Sequence, residues 1–131
     1  MVIDSHVLYW WLDGFPRLSK KADEVLRESH AGGNPLLVAP VTFWELSDKE
    51  RRGRFSSRRP VSEWPTLIAK VPWMEIVDTD SSIWIAAAAL DWSHRDPADR
   101  LIAATALARG VPVLTKDRVF HRKGSPVAAV W

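Results

Sequence analysis

The chain has no cysteine among its 131 residues. Disulfide staples and thiolate metal sites are therefore excluded, and a reducing compartment is compatible with the sequence. No apolar run approaches the roughly 20 residues that a helix needs to cross a bilayer. The opening Met-Val-Ile-Asp-Ser-His lacks the basic region and long apolar stretch of a secretion signal, so a cytoplasmic setting is expected. There is no GxxxxGK(S/T) phosphate loop, no GxGxxG turn and no GxSxG nucleophile elbow. His6, His30, His94 and His121 lack zinc-ligand spacing and read as surface or capping residues. Internal repeats, low-complexity segments and linkers are also missing. With 47% hydrophobic and 26% charged residues, one compact domain over residues 1–131 is expected.

Net charge excludes little, since a formal +2 is too mild to argue for a nucleic-acid partner. Its distribution is more informative. Lys49, Arg51, Arg52, Arg54, Arg58 and Arg59 fall in one short stretch, while the acids of interest are dispersed. Eight tryptophans are many for this length and are expected mainly as core or partner-facing anchors.

Hydrophobic spacing predicts strands alternating with helices, hence a mostly parallel sheet covered on both faces. Strands are expected at 2–3, 36–39, 74–77, 111–114 and 127–130. Helices are expected over 6–12, closed by Asp13-Gly14; from a Ser19 cap to Ser29; and from Thr42 through Glu45. A fourth should start at Ser62 and present Trp64, Leu67, Ile68 and Val71. The alanine-rich 80–90 segment reads as a buried helix. Asp96 should cap a last helix, with Pro97 at its first position and Gly110 at its end.

Against that frame, Asp4, Glu45, Asp99 and Asp117 each fall just past a predicted strand, where sites assemble in open parallel sheets. Each acid also has a local reading: Asp4 as a helix cap, Glu45 in a Thr42-x-x-Glu45 capping box, Asp117 in a turn. Their joint placement at one sheet edge, without a basic partner for each, is the specific signal. Two carboxylates about 5 Å apart at an effective dielectric of about 20 repel by roughly 3 kcal/mol. Such a cluster takes up protons or holds a cation, and oxygen donors without cysteine suit Mg²⁺ or Mn²⁺. Asp96 and Asp99 share the start of one helix, with Asp96 assigned mainly to capping and Asp99 mainly to metal.

The Val-Ile-Asp-Ser-His-Val-Leu-Tyr-Trp opening, Val-Thr-Phe-Trp-Glu-Leu around Glu45, His-Arg-Asp-Pro-Ala-Asp-Arg-Leu-Ile-Ala-Ala-Thr-Ala and Val-Leu-Thr-Lys-Asp together resemble the PIN-domain ribonucleases. Within that family the resemblance is to VapC-type toxins of bacterial toxin–antitoxin pairs. It spans nearly the whole chain, and its His-Arg-Asp-Pro block is the most distinctive part. It implies an α/β/α sandwich and an endoribonuclease dependent on Mg²⁺ or Mn²⁺, with Asp4, Glu45, Asp99 and Asp117 as the acidic quartet. Asp4 and Asp99 are the first choices for direct ligands, and Asp96 and Ser5 take outer-shell roles. The implied metal polarises the scissile phosphate and acidifies an attacking water. A homodimer and a cognate antitoxin lying across the groove are implied as well. Lys116, Arg51, Arg52 and Arg54 are candidate RNA contacts, each with a solvated surface residue as its alternative. Two rival functions are a Mg²⁺-binding phosphoacceptor signalling domain and a non-catalytic interaction module.

Overall fold

The computed structural model of the protein describes residues 1–14 and 17–131. A five-stranded sheet of order β3-β2-β1-β4-β5 forms its centre. The strands are β1 (Val2–Ile3), β2 (Leu36–Val38), β3 (Met74–Ile76), β4 (Val113–Leu114) and β5 (Ala129–Val130), and every pairing is parallel. Helices α1 (Ser5–Asp13), α2 (Lys20–His30), α3 (Val41–Arg51), α4 (Trp64–Ile68), α5 (Ser81–Ala89), α6 (Pro97–Ala108) and α7 (Arg118–His121) connect them.

Successive strand residues point to opposite sheet faces, and the core divides accordingly. Val2, Leu37 and Val113 pack with Ile83, Leu101, Ile102 and Phe120 on the α5–α6 side. Ile3, Leu36, Val38 and Leu114 pack with Leu8, Leu26, Trp64 and Ile68 on the α1–α2–α4 side. The expected three-layer α/β/α arrangement with a parallel sheet is therefore present.

Several caps match their sequence signals. Ser19 accepts the Ala22 amide at 3.0 Å, and Gly14 closes α1 with φ of 69°. Asp96 accepts the Ala98 and Asp99 amides, with Pro97 in the first turn.

Three expectations need correction. Thr42 does not cap α3: that helix begins at Val41 behind Pro40, and no side chain caps it. Ser62 lies in a short 3-10 turn, Val61–Glu63, and α4 ends at Ile68, so Val71 falls outside the helix. Helix α5 is not buried all round; it buries Ile83 and Ala87 but leaves Trp84 55% and Ile85 69% exposed. Alanine-rich composition marked it apolar without revealing that only the stripe facing α6 is covered. The short helix α7, capped by Asp117, was not anticipated.

Candidate functional site

Strand order reverses direction between β1 and β4, the topological switch point where open α/β sheets leave a crevice beyond their carboxyl ends. Asp4 ends β1, and its amide donates to the Leu114 carbonyl of β4 at 3.1 Å. Asp117 lies three residues beyond Leu114 and caps α7. Neither Glu45 nor Asp99 directly follows a strand, contrary to expectation. Glu45 rides in the second turn of α3, and Asp99 in the first turn of α6. All four acids, with Asp96, nevertheless line one pocket of about 290 Å³.

The carboxylates differ in their surroundings. Asp4 is buried, which pushes its pKa up, but hydrogen bonds from His6, Thr115 and the Ser5 amide outweigh that and hold it below the ordinary value. Thr115 Oγ1 donates to Asp4 at 2.5 Å and accepts the Asp117 amide at 2.9 Å, tying the two acids together. His6 Nε2 accepts the Lys116 amide at 3.1 Å, which leaves its proton on Nδ1, 3.3 Å from Asp4. Asp99 behaves oppositely. Burial lifts its pKa to about 6, the charges of Asp4 and Asp96 add to the rise, and His94, 2.5 Å away, pulls the other way. Burial is the larger cause of that rise, with the like charges of Asp4 and Asp96 behind it.

Glu45 makes no capping-box bond. It accepts the Ser5 hydroxyl at 2.6 Å and pairs with Lys49 one turn along α3. Because Thr42 lies within the helix and not at its cap, the back-bond of a capping box has no geometry to form, and the Thr42 hydroxyl is buried without a partner. The capping-box reading of Glu45 thereby loses its support.

Oxygen is the donor type throughout, which matches Mg²⁺ or Mn²⁺. Burial, with the nearby charges of Asp4 and Asp96, makes ionised Asp99 costly, and a cation beside it would offset that cost. Among the described residues, no three acidic or histidine side chains close on a single point. Each instead has its own neighbour: His94, Thr115, Lys49 or the α7 amides. Mg²⁺ typically takes one or two carboxylates, and Asp4 and Asp99, which both line the pocket, are the pair that would hold such an ion.

Of the candidate RNA contacts, Arg54 lines the pocket, as does Lys49. Arg51 and Arg52 lie outside it and both pair with Asp48. Lys116 is exposed, with its ammonium 5.7 Å from the Trp10 ring centroid. Sequence reading passed over His6, His94 and Thr115. The histidines were judged by zinc spacing, although proximity to an acid in sequence, His6 to Asp4 and His94 to Asp99, was the available signal. Arg100 was also missed. Its guanidinium donates to the carbonyls of Ala87, Ala88, Leu90, Trp92 and His94, stitching the 90–94 loop to α6 and setting His94 against Asp99.

The phosphoacceptor alternative needs its key acid after the third strand, at the site. Here β3 is an edge strand, and Asp80 beyond it caps α5, away from the pocket.

A parallel α/β/α sheet with carboxylates gathered at its switch point defines a small acid-lined fold class, and sequence comparison names it. Residues 1–125 match the PIN domain family, and the chain belongs to it. It is 37% identical over 134 residues to ribonuclease VapC22 of Mycobacterium tuberculosis, covering all of this chain and 98% of that protein. In fold it resembles VapBC2 from Rickettsia felis bound to a promoter DNA fragment, at a TM-score of 0.68 and 13% identity over 98% of this chain and 96% of the other. It also resembles a toxin–antitoxin complex from Klebsiella pneumoniae, at a TM-score of 0.63 and 16% identity over 99% of this chain and 95% of the other.

Proposed function

We propose that this chain is a divalent-metal-dependent endoribonuclease, the toxin of a toxin–antitoxin pair, folded as one domain. The observation that carries the reading is the grouping of Asp4, Glu45, Asp99 and Asp117 around one pocket at the β1–β4 switch point. Full-length similarity to a protein named as a VapC ribonuclease supports the RNA substrate. Fold similarity to a toxin–antitoxin complex supports a cognate antitoxin as partner.

When bound, Mg²⁺ or Mn²⁺ supplies a Lewis acid beside the scissile phosphate and a more acidic water. The chain's own residues do the rest. Asp4, kept ionised by His6, Thr115 and the Ser5 amide, and Asp99 provide the anionic seat. Ser5 orients Glu45 through its hydroxyl, while Lys49 and Arg54 at the pocket rim meet phosphate oxygens. His6 and His94 hold the two principal carboxylates in place from outside. Exposed apolar residues, Trp44 on α3 and Trp84 and Ile85 on α5, offer surface to a second copy in a homodimer. Among the described residues, no helix is long and apolar enough to cross a membrane, and the proposed setting is the cytoplasm.

Incubation of the purified protein with RNA, with and without EDTA, tests the proposal. Cleavage should stop in EDTA and return with Mg²⁺ or Mn²⁺. Cleavage that persists in EDTA would remove the metal from the reaction, and none under any condition would favour an interaction module.

A further inference from the structure

We propose that Trp10 and Trp131, joined to the acid pocket by His6 and flanked by Lys116, form a stacking subsite for one unpaired nucleobase beside the cleaved phosphate. This rests on the ribonuclease reading and specifies how that site takes its substrate. His6 and Trp10 are four residues apart on α1 and so share a helix face, with ring centroids 4.7 Å apart. Trp131 follows β5, the neighbour of β4, which sets its ring 5.8 Å from Trp10 and 6.2 Å from His6. Lys116 follows β4, with its ammonium 5.7 Å from the Trp10 centroid. The carboxyl ends of adjacent strands β1, β4 and β5 thus assemble an aromatic row that begins at Asp4, through the His6 bond of 3.3 Å.

Core packing accounts for Trp131, which packs against the α1-side core, but not for Trp10. Trp11, the next residue along, packs against the α1-side core, and Trp64 is fully buried with its indole donating to the Arg59 carbonyl. Among the described residues, Trp10 belongs to neither core cluster, and Trp10 and Trp131 are both only partly buried. Indole faces bind any base by stacking, and a lysine beside them adds a contact for the phosphate. Only an unpaired base has a free face to offer, so the ligand is single-stranded RNA and not a duplex. The Lys116 ammonium lies over the Trp10 ring and would meet the phosphate next to that base.

The test measures fluorescence anisotropy of a short labelled single-stranded RNA on the Asp99→Asn protein, which should bind without cutting. Trp10→Leu and Trp131→Leu should each weaken binding about tenfold, the scale of losing one stacked base. Trp10→Phe, which restores an aromatic face, should recover most of that loss. An RNA with one abasic position should bind the parent as poorly as the intact RNA binds the leucine variants, and this arm needs no altered tryptophan. Unchanged affinity in folded leucine variants, or indifference to the abasic position, would overturn the subsite. So would a loss confined to binding of an antitoxin peptide. RNA cleavage by the unmodified protein, assayed alongside, separates the two readings: with cleavage intact, a null result removes only the stacking subsite. If the unmodified protein neither binds nor cuts RNA, both readings fall.

Discussion

At the scale of single residues, the acids of one pocket carry opposite energetic signs. Asp4 is held ionised by three donors, so Asp4→Asn in metal-free protein should cost about 2 kcal/mol, as donors to a buried charged acceptor lose it. Asp99 is ionised against its environment, and Asp99→Asn should raise metal-free stability at neutral pH. The pH dependence follows from the same contrast. An unfolded Asp99 titrates near 3.8 and the folded one at about 6, so across that window the folded state binds more protons. Metal-free stability should therefore fall as pH rises from 4 to 6, and Asp99→Asn should flatten that slope. The depressed Asp4 acts only below the window, and Asp96 and His94 remain in both proteins. Melting curves at several pH values read this directly, and parallel slopes for the two proteins would show that Asp99 is not the titrating group. Glu45→Gln offers a third comparison. No cap is lost, and the exposed Lys49 pair is worth about 0.5 kcal/mol at most, so RNA cleavage should collapse while the melting temperature barely moves.

Elements decide how those residues meet. Helix α5 ends at Ala89 with its last carbonyls turned toward Arg100 of α6, which satisfies five carbonyls of α5 and the 90–94 loop with one side chain. Arg100→Ala should cost about 3 kcal/mol, because five charge-assisted bonds to backbone carbonyls are lost together. For a chain of this size the melting temperature should drop on the order of 10 °C, as calorimetry would record. Helix α3 sorts the basic stretch in the same way. Its last turn pairs Arg51 and Arg52 with Asp48, while Arg54 beyond the helix turns to the pocket. Arg54→Gln should reduce the salt slope of single-strand binding by roughly 0.7, and Arg51→Gln by clearly less. Equal effects would return the whole stretch to the RNA path.

For the whole molecule, the outward side of α5 raises the question of assembly. Ile85 and Trp84 are more exposed than large apolar side chains of a lone small protein usually are, and they adjoin one another on the helix. If the proposed homodimer uses this face, Ile85→Glu should shift the sedimentation mass from dimer to monomer without lowering helix content. A dimer that survives the substitution would have its interface elsewhere, with Trp44 on α3 the next residue to change.

Local chemistry was legible in the sequence wherever a residue's conformation depends on its near neighbours. Ser19, Asp96 with Pro97, and Asp13-Gly14 announced helix ends that the structure contains, because capping and left-handed turns are settled within a few residues. Alternation of strands and helices carried the parallel sheet, and the four acids were visible as candidates for the pocket they line. Packing between distant segments was not legible. Glu45 accepts the hydroxyl of Ser5, forty positions away, and Asp4 is held by Thr115 across the β1–β4 pairing. Which face of α5 is covered depends on α6, and Trp131 meets Trp10 only because β5 lies beside β4. Pairwise geometry between remote residues leaves no periodic trace in either segment, so the tertiary structure alone could decide which acid is held ionised and which is lifted.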